Sequence, residues 1–141
     1  AVVTLRADTS PVPGNWGFSQ TFSVPSPTLS GFNTTHSLVS AATTNATSVK
    51  ASAGAIGNIV LTNASAAVKF FKLYNKASAP TVGTDTPVMI VGIPANQTVV
   101  IPYEQGLRLG TGIAYALTGL MPIADTTAVA LNDVAVFIDY V

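Results

Sequence analysis

Cysteine is absent from this chain, and ionised side chains are scarce. Without cysteine, the 141 residues form no disulfide and offer no thiolate to a metal ion. Only 9% of the residues are charged, and six basic residues balance six acidic ones; an ordinary soluble domain has about 25% charged residues. Six basic residues offset by six acidic ones do not provide the basic surface that a nucleic-acid partner requires, so we expect no nucleic-acid binding.

Long apolar runs are also missing, although 48% of the residues are hydrophobic. Gly, Pro or Asn interrupts each apolar stretch well before the ~20 residues that a membrane-spanning helix needs, so we expect no membrane partner. A surface with so little charge does little to keep copies of a protein apart. The chain is therefore apolar and weakly charged, yet it has no run that could span a membrane. The simplest explanation is that other protein molecules cover much of its surface, as in an assembled structural subunit.

Strand-forming and turn-forming residues dominate the composition. Thr and Val favour pleated strands, and Pro, Gly, Asn and Ser mark turns between them. Eight short strand segments follow one another, which predicts an all-β fold with a single antiparallel β-sandwich or jelly-roll-like domain. The segments are residues 37–41, 48–53, 58–62, 66–75, 87–93, 97–103, 112–118 and 133–141.

Two segments carry further expectations. Residues 66–75 are mainly apolar on both faces, so we expect a partner or an N-terminal arm to cover the outer face of that strand. Residues 124–131 predict a short helix with Asp125 as its N-cap.

The first 33 residues predict an extended N-terminal arm that precedes a domain at residues 34–141. Four prolines in this stretch exclude a helix or a central strand. The arm could cross a neighbouring subunit or fold back on its own domain, and both placements stay open. Aromatic side chains dominate the energetics of interfaces. The candidate anchors of the arm are therefore Trp16, Phe18, Phe22 and Phe32.

Residues that would support catalysis or bind a metal are not clustered along the chain. His36 is the single histidine, and a zinc site would need further ligands beside it. The acidic residues are scattered, and no serine elbow or glycine-rich phosphate loop occurs. We therefore expect no enzymatic activity, no cofactor and no metal, and we expect His36 to be an ordinary hydrogen-bonded or exposed histidine.

Two prolines, Pro80 and Pro87, bracket a segment that predicts a stiff, protruding loop. Proline holds the preceding residue extended, Gly83 permits a turn, and Asp85 can accept hydrogen bonds from backbone N–H groups. A stiff loop loses little entropy on contact, which makes it a candidate interface; the alternative is a loop with no partner. Its candidate contact residues are Pro80, Thr81, Val82, Thr84 and Asp85.

A family resemblance covers a little over half of the chain, residues 63–140. Its most specific stretch is Lys-Ala-Ser-Ala-Pro-Thr-Val-Gly-Thr-Asp-Thr-Pro at 76–87, accompanied by Phe-Phe-Lys-Leu-Tyr-Asn-Lys at 70–76 and Gly-Thr-Gly-Ile-Ala at 110–114. This part resembles a small protein of tailed-phage genomes that is usually encoded among virion structural genes. The resemblance implies a virion component, either a capsid decoration (cement) protein or a small head or tail accessory protein. The arm lies outside the resemblance.

Composition and resemblance together predict a decoration subunit on the outer surface of a phage capsid. Such a subunit would bridge neighbouring capsomers, with the major capsid protein and its own copies as partners, and we expect a trimer in preference to a dimer. The alternative is a receptor- or glycan-binding β-sandwich of a tail or fibre, with Trp16 and residues 103–105 as its candidate contacts. A pilin-like or surface-layer subunit would share the composition.

Overall fold

Every regular element in the described part of the chain is a β-strand. The computed structural model describes the backbone of Val2–Arg6 and Ser19–Ser23 and all of residues 31–141. The chain separates into two units, Ala1–Gly31 and Phe32–Val141, whereas the sequence placed the division two residues later.

The first unit contains one antiparallel pair of strands. β1 (Val2–Arg6) pairs with β2 (Ser19–Ser23) along its whole length. Of the candidate anchors, Trp16 and Phe18 lie outside the described residues, and only the backbone of Phe22 is described, as part of β2.

Eight antiparallel strands form the second unit, and each overlaps one of the predicted segments. The predicted all-β class and the predicted sandwich are therefore confirmed. The strands are β3 (Thr34–Val39), β4 (Thr47–Lys50), β5 (Gly54–Asn63), β6 (Lys69–Asn75), β7 (Met89–Ile93), β8 (Gln97–Leu109), β9 (Ile113–Thr118) and β10 (Val134–Tyr140).

The strand connectivity is that of a long hairpin folded over on itself. β6 pairs with β7, β5 with β8, β4 with β9 and β3 with β10, each nested around the one before. Two further pairings, β10 with β5 and β9 with β6, join these four pairs of strands into two sheets. We call them the first sheet (β3-β10-β5-β8) and the second sheet (β4-β9-β6-β7). This is the arrangement of a jelly roll.

Alternate side chains of the facing strands make the core between the two sheets. On β10 the inward positions are Val134, Val136 and Ile138, because successive strand residues point to opposite faces. Full burial of one such large apolar side chain contributes about 1.5–3 kcal/mol. The fully buried core side chains are Ile56, Ile59, Leu61, Phe71, Leu73, Ile93, Ile113, Tyr115, Leu117, Val136 and Ile138.

The predicted helix at residues 124–131 is wrong. Val129 is buried, and its N–H donates to the carbonyl of Thr43 at 3.2 Å. The carbonyl of Thr127 accepts from the N–H of Gly119 at 2.9 Å. Backbone groups of this segment thus pair with distant parts of the chain, and these contacts outweigh the helix propensity of a segment too short to be stable alone.

His36 joins the two sheets from β3. Its Nε2 atom lies 3.0 Å from the hydroxyl of Tyr115 on β9. The ring of Tyr115 stacks on Phe71, with 5.3 Å between the ring centroids. Burial lowers the pKa of His36 and raises the pKa of Tyr115 to about 12. A neutral imidazole is therefore favoured in the folded protein.

Acidification is expected to destabilise the protein through His36. The unfolded chain binds a proton with the ordinary histidine pKa of 6.5, above the lowered pKa of the folded state. The stability is therefore fully present above pH 6.5 and declines as the pH falls through 6.5 towards the folded pKa, by about 1.4 kcal/mol per unit between the two values. Denaturant unfolding at pH 8 and pH 5 should reveal this difference.

The variant His36→Gln is the control for that measurement. His36 is the one histidine of the sequence, so no other side chain has its ordinary pKa in this window. The variant should lose the dependence between pH 8 and pH 5. If the variant keeps the same dependence, another group is responsible.

Candidate interaction surfaces

The described residues contain no group of three His, Cys, Asp or Glu side chains that could hold a metal ion. The same residues include no helix that is long and apolar enough to cross a membrane. What the second unit presents is two exposed apolar surfaces, one on the outer side of each sheet.

Two loops of the chain itself, residues 77–88 and 119–128, cover the outer face of the second sheet. We call them the loop cap. The two loops touch, since a Cβ atom on Gly83 would lie 2.7 Å from Cγ2 of Thr126. Beneath the first loop, Val82 packs against three residues of the sheet: Tyr74, Ala114 and Ala116. The loop cap thus covers Lys72 and Tyr74 on the outer face of β6, the face for which the sequence predicts a cover from a partner or the arm.

Asp85 stabilises the first loop of the cap, as the sequence predicts. Its Oδ2 atom accepts a hydrogen bond from the backbone N–H of Thr81 at 2.6 Å and forms an ion pair with Lys76. The hydrogen bond from Lys76, followed by that from Thr81, holds the pKa of Asp85 below its usual range. Gly83 adopts a φ of 87°, which supplies the predicted turn.

This loop lies on the sheet and does not protrude as predicted. Pro80 is buried, and Val82 is half-buried because the apolar outer face of the sheet offers it a contact surface. Thr81 and Thr84 are exposed, whereas Asp85 is half-buried. A role for these five residues in an interface stays a prediction.

Phe32 packs within the second unit. A Cβ atom on Gly57 would overlap Cγ of Phe32, and one on Gly106 would lie 2.8 Å from its Cζ. The ring thus rests on two glycines where the pairing of β5 with β8 is irregular. Gly106 also has a φ of 79°, which an L-amino acid side chain rarely tolerates.

Tyr103 also turns towards the core. It packs against the buried cluster, and its hydroxyl donates to the sulfur of Met89 at 3.2 Å. The aromatic ring of residues 103–105 is therefore engaged within the sandwich and does not form an open platform for a sugar.

The second loop of the cap exposes four consecutive apolar residues that sequence reasoning missed. Leu120, Met121 and Ile123 are 56%, 59% and 43% exposed, and Pro122 between them is exposed as well. We call these four residues the apolar tip. The run Leu-Met-Pro-Ile, directly before the segment predicted as a helix, is the sequence signal that could have identified them. An unbroken exposed apolar run is unusual unless it has a function.

Asp125 closes the loop that carries the apolar tip. Its Oδ2 atom accepts from the N–H of Leu120 at 3.1 Å, its Oδ1 atom from the hydroxyl of Thr127 at 2.7 Å, and its own N–H donates to Pro122 at 3.0 Å. Burial by itself raises the pKa of Asp125, but the hydrogen bonds from Thr127 and Leu120 outweigh it and hold the pKa below its ordinary value.

Lys72 fastens the same loop from below. Its side chain on β6 is 0% exposed, and its Nζ atom donates to the carbonyl of Pro122 at 2.7 Å and to that of Asp125 at 3.4 Å. Burial lowers the pKa of Lys72, and the carboxylate of Asp125 opposes that effect. These contacts offset the cost of burying an ammonium group and hold the loop on the sheet.

The second apolar surface lies on the outer face of the first sheet. Phe137, Val60 and Val100 stand side by side on neighbouring strands. Phe137 and Val100 are exposed, and so is Val39 in the adjacent row. We call this the sheet face. Since the loop cap covers the outer side of the second sheet, the apolar tip and the sheet face lie on opposite sides of the sandwich.

Comparisons with known proteins leave the family of this chain open. No protein-family model matches it, and no curated protein matches it. A weakly similar solved structure is the coat protein of Tobacco streak virus, with 13% identity over 79% of this chain and 89% of that chain and a TM-score of 0.26. A TM-score this low supports neither a fold nor a function. The resemblance to a tailed-phage protein stays a resemblance.

Proposed function

We propose that this chain is a structural, non-catalytic virion protein, a decoration (cement) subunit that bridges neighbouring capsomers on the outer surface of a phage head. The observation that carries the proposal is the pair of apolar surfaces on opposite sides of one sandwich. A subunit that bridges two neighbours needs two separate contact surfaces. The apolar tip and the sheet face meet that need.

Three further observations support this function. The chain has 9% charged residues, so little charge must be desolvated when its surface is covered. The jelly roll is an architecture of viral capsid domains, although it also serves lectins and cupins. The resemblance of residues 63–140 points to virion structural genes.

The proposed partners are the major capsid protein and other copies of this chain, with a trimer preferred to a dimer. A stable specific interface buries roughly 800 Å² on each partner. Smaller contacts suffice where many copies engage a repeating lattice, because linked contacts add avidity. A subunit with two modest apolar surfaces suits such a lattice.

The experiment uses the virus that encodes this chain, with the gene deleted. Heads assembled without the chain are expected to release DNA at a lower temperature than wild-type heads. Added purified chain should co-sediment with these heads, saturate at a fixed ratio to the major capsid protein and restore the release temperature. Release can be followed with a DNA-binding dye.

Two results would contradict the proposal. One is a wild-type virion in which mass spectrometry finds no copy of the chain. The other is purified chain that fails to co-sediment with the deleted heads. If a label directed at this chain is found only on the tails of the virions, the receptor-binding alternative is favoured.

A further inference from the structure

We infer that the apolar tip is the anchor that inserts into an apolar depression of a partner protein. We assign that partner as the shell protein of the virion, and this assignment rests on the proposed function. The tip consists of Leu120, Met121, Pro122 and Ile123 in the second loop of the cap.

Rigidity is the first argument for an anchor. Both sides of the tip are tied down, by Thr118, whose hydroxyl donates to the carbonyl of Leu120 at 2.8 Å, and by Asp125, whose N–H donates to Pro122 at 3.0 Å. Lys72 adds a charged hydrogen bond from beneath, at 2.7 Å. A loop held in this way loses little conformational entropy when a partner binds it.

Composition is the second argument. Specific interfaces have an apolar centre surrounded by a polar rim that admits water. The tip supplies an apolar centre that includes Met121, whose unbranched side chain adapts to irregular surfaces. The exposed residues that follow the tip in the same loop include the hydroxyl side chains of Thr126 and Thr127.

Charge is the third argument, and it favours a protein over a lipid surface. Surfaces that bind anionic membranes carry exposed Lys or Arg beside their apolar residues. In residues 119–128 the one ionisable side chain is the carboxylate of Asp125. The nearest ammonium with a described contact to the loop, that of Lys72, is buried beneath it. An uncharged apolar depression in a protein suits the tip better than an anionic headgroup layer does.

The test compares Leu120→Glu with a matched control, Leu131→Glu, in the full chain. Leu131 is 66% exposed, more than Leu120, and lies outside the tip in the turn before β10. Binding is measured by co-sedimentation with heads of the encoding virus that were assembled without this chain. We expect Leu120→Glu to bind at least tenfold more weakly and Leu131→Glu to bind within twofold of the wild type.

Folding of each variant is checked by circular dichroism and thermal unfolding. Met121→Glu provides a second variant, because no hydrogen bond of the loop involves the side chain of Met121 within the described residues. A folded Met121→Glu chain with the same loss of binding would support the inference even if Leu120→Glu failed to fold.

Other outcomes overturn the inference, and they distinguish it from the proposed function. If the wild type binds the heads and both tip variants bind equally well, the tip is not the anchor, although the decoration function stands. If the wild type does not bind the heads, the proposed function and the assigned partner both fail.

Two companion measurements identify a different occupant. Binding of the wild type, but not of Leu120→Glu, to vesicles of phosphatidylcholine and phosphatidylglycerol would replace the protein partner by a lipid surface. A concentration-dependent dimer in sedimentation velocity that Leu120→Glu abolishes would replace the shell protein by a second copy of this chain. Either result overturns the assignment.

Discussion

Gly112→Ala is expected to destabilise the second unit by about 3 kcal/mol. Gly112 is buried just before β9, and a Cβ atom there would lie 2.6 Å from the carbonyl oxygen of Lys76 and 2.7 Å from that of Lys50. It would also lie 2.7 Å from Cα of Ala77. All three atoms belong to the backbone, so no change of rotamer can relieve the overlap.

Gly110→Ala is the matched control, two residues away. A Cβ atom on Gly110 meets nothing within 4 Å, and Gly110 is not among the residues with positive φ. Its effect should stay within about 0.5 kcal/mol. Guanidinium unfolding followed by circular dichroism gives both values. Equal losses in the two variants would show that crowding at Gly112 is not the cause.

Lys72→Ala is expected to lower the free energy of unfolding by about 2–3 kcal/mol, the second largest effect. The substitution removes a fully buried aliphatic stem and also the ammonium group that donates to Pro122 and Asp125. Because the variant no longer buries a charged group, part of this loss of stability is offset. Lys72→Met keeps the stem and loses only the ammonium, so it should cost about 1 kcal/mol.

Both Lys72 variants should also loosen the loop that carries the apolar tip. Limited chymotrypsin digestion is expected to cleave after Leu120 faster than in the wild type, because cleavage requires local opening. Unfolding measurements supply the free energies. A Lys72→Met chain as stable and as resistant as the wild type would mean that the ammonium does not hold the loop.

The eight strands of the second unit were predictable because their signals are local. Branched side chains and turn residues alternate along the chain, and in the last strand a period of two places Val134, Val136, Ile138 and Tyr140 on one face, of which the first three are buried. Asp85 was also predictable, since its hydrogen bond to Thr81 spans only four residues. Such features depend on neighbours in sequence, which a single chain displays.

The candidate surfaces were harder to predict because they depend on distant contacts. The aromatic character of Phe32 suggested an anchor for a neighbour, but the pairing of β5 with β8 places Gly57 and Gly106 beneath its ring. The apolar tip carried no prediction, and its position depends on Lys72, fifty residues before Pro122, which holds it on the sheet.

The sequence by itself determined the strand content, the turns and the scarcity of charge, because these follow from the conformational preferences of each residue and its near neighbours. Only the tertiary structure decided which apolar residues stay exposed. The nested hairpin brings together segments far apart in sequence, so the loop cap buries Lys72 and Tyr74 on one outer face while Phe137 and Val100 stay exposed on the other. Burial depends on that packing, and no local pattern specifies it.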